Sequence, residues 1–395
     1  MNFALQKTLE LLLIIGLGLL LQKKIAKENL KGVKILILSV ALPAVIFVAL
    51  LKIKLESSLL VFPLLALSFN LIMLTASKYF LSATLPKKDT AKKRTIMMLI
   101  PSLAPGLSCF PFIVVYLGDD SLAQAALADV GNKIFGLILL YMLAMHWYHR
   151  RSIKDERTSS SSKLKSLALS LLNEPINMVI IVGLLLLSFG LDLSSLPEFI
   201  QNTILSLKVL MTPLVLLFIG MAVRIKAGEF GFILSLLIRR AGITFCLSAI
   251  FVFFFSALTP ALILLLVVFP QSACSFWPFA HMSAVNALET KDKQNKPTFN
   301  IDFAVNVLAC SLPFSTILII GIFSFSEIFV NPYTLLISGF ILIIGSFIPF
   351  LLSKAKSTEK PNLSLIPTIK DSAAKIQQTQ KNGESNEMVK ENNVA

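Results

Sequence analysis

The sequence predicts an all-α polytopic membrane protein. We expect an inverted repeat of five plus five transmembrane helices, with crossed, proline-broken helices four and nine, followed by an eleventh helix. The 395-residue chain is 55% hydrophobic and 15% charged, with a mean hydropathy of +0.80, whereas soluble domains carry about 25% charged residues. Apolar runs long enough to cross ~30 Å of hydrocarbon recur along the chain. Short matches also recur between its two halves.

Eleven apolar runs are predicted to span the membrane. They cover residues 5–21, 34–52, 57–82, 95–117, 122–146, 167–189, 201–223, 231–256, 259–284, 302–326 and 333–353. The loops alternate between basic and nearly uncharged or acidic, and an excess of Lys and Arg marks cytoplasmic loops. We therefore expect a protein of the plasma or inner membrane, with its N-terminus outside and its C-terminus in the cytoplasm. The basic turn between the seventh and eighth spans is assigned to Arg224, Lys226, Arg239 and Arg240.

Three residue matches indicate the repeat. They pair Gly16 with Gly183, Pro43 with Pro213, and Pro111 with Pro278, at offsets of 167, 170 and 167 positions. Because each repeat holds an odd number of spans, the second copy enters the membrane from the opposite side. The predicted domains are a first repeat over 1–146, a cytoplasmic linker over 147–166, a second repeat over 167–326, a transmembrane helix over 327–353 and a cytoplasmic tail over 354–395. We expect a disordered tail, because its polar composition buries too little apolar surface.

Prolines interrupt the fourth and ninth predicted spans. Proline removes a backbone donor and clashes with the preceding helical turn, and lipid offers no substitute partner. Paired interrupted helices in corresponding positions of two halves indicate the binding site of a transporter. The predicted substrate-binding residues lie around these breaks: Ala104, Pro105, Gly106, Ser108, Pro111, Pro270, Gln271, Ser272 and Pro278.

Ionisable and amide side chains inside the spans are predicted to serve ion or proton coupling, since a charge at the bilayer centre costs about 2.5–3.5 kcal/mol. Asp129 and Lys133 lie one helical turn apart and can neutralise each other, so a purely structural pair is an equally weighted alternative. The predicted coupling set is Asp129, Asn132, Lys133, Glu174 and Lys208.

The sequence lacks the motifs of several other protein classes. It has no phosphate-binding Walker loop, no Ser/His/Asp set and no zinc-ligand spacing, so we predict no enzyme, cofactor or metal. The net charge of +14 sits in alternating loops and in the tail, a topology signal that argues against nucleic acid as a partner. The expected partners are the lipid bilayer and a small organic anion, with a homodimer left open.

Several short motifs resemble the auxin efflux carrier family, whose fold is like that of the bile acid:sodium symporters. The runs Gly106-Leu107-Ser108-Cys109-Phe110-Pro111 and Ala125-Ala126-Leu127-Ala128-Asp129 are similar to its fourth and fifth helices. Other similar runs are Leu42-Pro43-Ala44, Asn173-Glu174-Pro175 and Pro270-Gln271, from the second, sixth and ninth helices. The family includes plant auxin carriers and bacterial permeases for malate and related acids.

The resemblance implies a secondary carrier that moves a small organic anion by alternating access. Ala104-Pro105-Gly106 stands where the family usually has Asn-Thr-Gly, so its mode of carboxylate recognition does not carry over to Ala104. Sodium-coupled symport of the bile-acid type is one alternative. The other is a membrane receptor or scaffold without transport activity.

Overall fold

The computed structural model describes residues 3–52, 57–81, 85, 89–151, 169, 173, 175–222, 229–255, 258–291 and 297–348. Every regular element in these ranges is a helix. Six helices are long and apolar enough to cross a membrane: Glu28–Leu50, Val61–Leu81, Gly118–His149, Glu198–Ala222, Phe230–Phe254 and Ile301–Ser324. Each coincides with a predicted span, which confirms an all-α protein with the apolar helices of a membrane protein. Glu174, residues 152–166 of the predicted linker and the predicted tail lie outside the described residues.

The first half of the described chain contains nine α-helices. They are α1 (Phe3–Leu21), α2 (Lys27–Leu36), α3 (Leu42–Leu50), α4 (Val61–Ala76), α5 (Thr90–Leu99), α6 (Pro105–Ser108), α7 (Phe110–Tyr116), α8 (Gly118–Ile134) and α9 (Leu140–His149). A π-helical turn, Ile37–Ala41, joins α2 to α3, and another, Phe135–Leu139, joins α8 to α9. The predicted fourth span is therefore three short helices, whereas the fifth is one long rod.

The second half repeats the contrast between long and interrupted helices. Its helices are α10 (Pro175–Ser188), α11 (Glu198–Ala222), α12 (Phe230–Phe254), α13 (Pro260–Val268), α14 (Trp277–Lys291), α15 (Ile301–Ser324), α16 (Ser326–Phe329) and α17 (Pro332–Gly345). A single 3₁₀ turn, Phe269–Gln271, follows α13, and the residues after this turn are not helical. The predicted ninth span is thus split between α13 and α14.

The prolines used to predict the breaks lie at the starts of helices. Pro111 and Pro278 are the second residues of α7 and α14, and Pro105 is the first residue of α6. The first amides of a helix have no intrahelical acceptor, so a proline there loses no hydrogen bond. The non-helical segments lie just before them. We call residues 100–104 the first break and residues 272–276 the second break.

Arg239 and Arg240 were assigned to a basic loop, and that assignment is wrong. Both lie well inside α12 and are buried, with 5% and 1% of their surfaces exposed. Arg239 Nε donates to Ser346 Oγ at 3.2 Å, and its guanidinium lies 4.5 Å from the centroid of the Phe347 ring. Arg239 therefore fastens α12 to the C-terminal end of α17.

Glycines let two pairs of helices approach to backbone contact. A Cβ at Gly220 of α11 would lie 2.2 Å from the Ile15 carbonyl oxygen of α1, and one at Gly18 would lie 2.4 Å from the Leu217 oxygen. A Cβ at Gly242 of α12 would likewise lie 2.7 Å from the Gly339 carbonyl oxygen of α17. Side chains larger than hydrogen do not fit at these positions.

The buried apolar side chains form two clusters, and the breaks pass between them. Leu103 and Phe269 belong to the cluster built on α3, α8 and α11, whereas Leu99 and Cys274 belong to the cluster built on α5, α12, α14 and α15. The breaks therefore place polar backbone between these two apolar clusters.

Candidate functional site at the crossing of two broken helices

The two breaks touch each other through their backbones. The Ala104 amide of the first break donates to the Ala273 carbonyl oxygen of the second, with a nitrogen–oxygen distance of 2.7 Å. Helical bonding stops at both places, so each break exposes amides and carbonyls that must find other partners. Part of that need is met by the opposite break.

Two serine hydroxyls bridge the same crossing. Ser102 Oγ donates to the Leu99 carbonyl at 2.6 Å and accepts from the Ser275 amide at 3.2 Å. Ser108 Oγ donates to the Ala104 carbonyl at 2.8 Å and accepts from the Ala273 amide at 2.9 Å. A hydroxyl both donates and accepts, so each serine joins a carbonyl of one segment to an amide of the other.

The side chain of Asn132 in α8 pairs with the backbone of the first break. Its Nδ2 donates to the Leu103 carbonyl at 2.9 Å, while its Oδ1 accepts from the Leu103 amide at 3.2 Å. The Asn132 Oδ1 also accepts from Asn70 Nδ2 of α4 at 3.1 Å. The carboxamide therefore replaces both helical partners that Leu103 lacks.

Asp129 and Lys133 continue this network along α8. Asp129 Oδ1 accepts from Asn132 Nδ2 at 2.8 Å, and Asp129 Oδ2 lies 3.3 Å from Lys133 Nζ. Lys133 Nζ also donates to Asn177 Oδ1 of α10 at 3.2 Å. Three of the predicted coupling residues are thus joined to each other and, through Asn132, to the first break.

Arg240 contacts both breaks from the side of α12. Its Nε donates to the Ile100 carbonyl at 3.0 Å, and its Nη2 donates to the Ser272 carbonyl at 2.8 Å and the Pro270 carbonyl at 3.3 Å. The sequence had suggested a basic loop for Arg240 and no place at this site. The available signal was its position inside the apolar run 231–256, where an arginine is costly.

Two buried amide oxygens near the crossing have no hydrogen-bond partner among the described residues. They are Asn70 Oδ1 and Gln271 Oε1, whose residues are 0% and 1% exposed. Gln271 Nε2 donates to the Ala241 carbonyl at 3.2 Å, which holds the side chain against α12. These oxygens can accept hydrogen bonds from a ligand.

A cavity of ≈ 570 Å³ adjoins the crossing. Its lining includes Ala128, beside Asp129, and Pro270, beside Gln271, together with Ser68 and Ser248. The rest of its wall is mostly apolar and includes Phe62, Phe69, Phe251, Phe254, Phe255 and Phe269. Pro270 is the predicted substrate-binding residue that lines it.

The remaining predicted residues have other surroundings. Lys208 Nζ lies 2.8 and 2.7 Å from the carboxylate oxygens of Asp119, and Lys52 Nζ lies 2.7 Å from the same group. A Cβ at Gly106 would lie 2.9 Å from Leu42 Cδ2, so Gly106 lets α6 pack against α3. Ser272 Oγ donates to the Phe269 carbonyl at 2.6 Å, within its own turn.

No known family model and no curated protein matches this chain.

Proposed function

We propose that this protein is a secondary carrier that moves a small organic anion across the membrane by alternating access around the crossing. The observation that carries the proposal is the direct contact between two interrupted helices, Ala104 N to Ala273 O at 2.7 Å. Irregular backbone at membrane depth is retained where it is buried in protein or lines a pathway, and carriers bind substrate at such paired breaks.

The resemblance to permeases of malate and related acids suggests an anionic substrate, and two cationic side chains lie near the crossing. Arg240 and Lys133 bring two positive charges to the polar network, and Asp129 is the carboxylate that faces Lys133. The adjoining cavity of ≈ 570 Å³ falls in the range of about 300–1,000 Å³ typical of small-molecule sites. A carboxylate group at the crossing and an apolar body in the cavity would use both environments.

Local correspondences support the inverted five-plus-five repeat that this mechanism requires. Ser102 and Ser272 lie 170 positions apart (272 − 102), and each hydroxyl donates to the carbonyl three residues earlier at 2.6 Å. Helices α7 and α14 begin 167 positions apart (277 − 110), and each has proline second. The change of offset reflects the one-turn helix α6, which lengthens the first copy.

Uptake into liposomes containing the purified protein tests the proposal. The probes are radiolabelled malate, succinate and benzoate, which differ in charge and apolar area, each with no gradient, a pH gradient or a sodium gradient. We expect saturable uptake of at least one probe. Asn132→Leu should abolish it, because the change removes both hydrogen bonds to Leu103, whereas Asn306→Leu, the same substitution in half-buried Asn306 of α15, should retain it.

Each result of this experiment bears on the proposal. Failure of a folded, reconstituted protein to move any of the three anions contradicts it and favours a receptor or scaffold. Uptake that occurs only with a sodium gradient replaces it with the sodium-coupled alternative. Equal uptake by the parent and Asn132→Leu places the pathway away from the crossing.

A further inference from the structure

Arg240 is a buried cation whose hydrogen bonds to the described residues all go to backbone carbonyls. It is 1% exposed, and its three acceptors are Ile100 O, Pro270 O and Ser272 O. Among the described residues, no carboxylate lies within ion-pair distance of it. A buried charge without an ionic partner is strongly unfavourable unless other groups compensate it. The positive charge of Arg240 must therefore be compensated by these three carbonyls.

These carbonyls belong to the C-terminal ends of two interrupted helices. Helix α5 ends at Leu99 with Ile100 as its cap, and the 3₁₀ turn after α13 ends at Gln271 with Ser272 as its cap. The last carbonyls of a helix lack amide partners, and each C-terminus carries about half a negative charge. Two such ends together amount to about one negative charge, which a single guanidinium neutralises.

We propose that Arg240 is a positioning residue that serves as a built-in cation of the crossing. The planar guanidinium presents donors in several directions, so it reaches both breaks at once, as its Nε and Nη2 contacts show. Arg240 thereby fixes the first break against the second and sets the geometry in which substrate is held. This inference rests on the proposed function for its role in transport, although not for its role in the fold.

The fixed charge also has a consequence for coupling. Backbone carbonyls at a broken helix, with a buried amide oxygen such as Gln271 Oε1 nearby, are the ligands that a mobile alkali cation uses. Arg240 already satisfies three of these carbonyls. The crossing therefore needs no mobile metal cation to be electrically neutral, and we expect the carrier to work without sodium.

Chemical rescue tests the positioning role. In detergent micelles we expect Arg240→Ala to lower the unfolding temperature by about 5 °C or more, because it leaves buried carbonyls unpaired. Millimolar guanidinium chloride, far below its denaturing range, should restore at least half of this loss, whereas equal sodium chloride or urea should not. Arg239→Ala is the matched control, because Arg239 is the adjacent buried arginine but contacts Ser346 and Phe347.

Two further variants keep the test decisive if Arg240→Ala does not fold. Arg240→Lys retains the charge and Arg240→Gln removes it, so the lysine variant should unfold at the higher temperature. In liposomes, uptake of the probe anion that the parent transports should be the same in sodium as in choline, both for the parent and for Arg240→Lys. Arg240→Gln should take up that anion at least tenfold more slowly.

Several outcomes would overturn the inference. They are equal unfolding temperatures for the lysine and glutamine variants, no guanidinium rescue of a folded Arg240→Ala protein, and sodium-dependent uptake by the parent. The unfolding measurements require no substrate. Guanidinium rescue combined with no transport of any tested anion would therefore contradict the proposed function while leaving the role of Arg240 in place.

Discussion

The first and second breaks meet the same physical need in different ways. In the first break, the neutral carboxamide of Asn132 supplies both a donor and an acceptor to Leu103. In the second break, the amides of Ala273 and Ser275 donate to serine hydroxyls, and the carbonyl of Ser272 accepts from the charged Arg240. Arg240 of α12 also donates to the Ile100 carbonyl of the first break, so the breaks share this cation and differ in the amide from α8, which serves the first break alone.

This difference shows which helices control each break. Helix α8 carries Asp129 and Lys133 beside Asn132, so a substitution in that pair acts first on the first break. Helix α12 carries Arg240, which contacts both breaks, so its charge does not distinguish them. The two breaks therefore differ in their dependence on α8, and four predictions test this comparison.

The largest effect is expected from Asp129→Leu. Removal of one partner from a buried ion pair typically costs 3–5 kcal/mol, so we expect a loss of about 4 kcal/mol in the free energy of unfolding. The double variant Asp129→Leu, Lys133→Met should recover at least half of this loss, because no unpaired charge remains. Chemical unfolding in micelles measures both, and no recovery in the double variant would show that Lys133 depends on other groups for its compensation.

Asn132→Leu should come next, with a loss of about 2–3 kcal/mol, because it leaves the amide and carbonyl of Leu103 buried without partners. The same unfolding measurement applies, with Asn306→Leu as its control. If both variants lost the same amount, the special support of the first break by Asn132 would be refuted.

Ser102→Ala and Ser108→Ala should each cost about 1–2 kcal/mol, because each leaves one amide of the second break unpaired. Their effects should not be additive, since both hydroxyls hold the same segment. Unfolding of the two single variants and the double variant measures the coupling. Strict additivity would indicate that the two hydroxyls act independently.

Pro278→Ala is expected to have the smallest effect, below about 0.5 kcal/mol, because Pro278 is the second residue of α14 and interrupts no helical hydrogen bond. Uptake by Pro278→Ala of the probe anion that the parent transports should remain near the parent rate. If uptake were lost without a loss of stability, Pro278 itself would belong to the substrate site, as the sequence predicts.

The long apolar helices were predictable because their hydrophobic runs exceed the thickness of the bilayer. The positions predicted for the breaks were less accurate, because a proline fits both the first turn of a helix and an interruption within a helix. Asn132 was predictable as a buried polar residue in a span, but its partner Leu103 was not. That pairing depends on how α8 packs against the first break, which no local pattern encodes. Arg240 was misassigned because the positive-inside pattern does not separate a loop arginine from one paired with helix ends.

The glycine contacts have a mechanical consequence. Helices α1 and α11 touch backbone to backbone at Gly18 and Gly220, and no side chain there can change rotamer to let them slide. We therefore expect α1 and α11 to move together as one rigid body. Among the described residues, an ion pair between Lys208 of α11 and Asp119 of α8 joins this rigid body to α8. Because both side chains are flexible, the ion pair can form again when the distance between the helices changes. Under the alternating access that we propose, we expect displacement to be concentrated at this contact between α11 and α8.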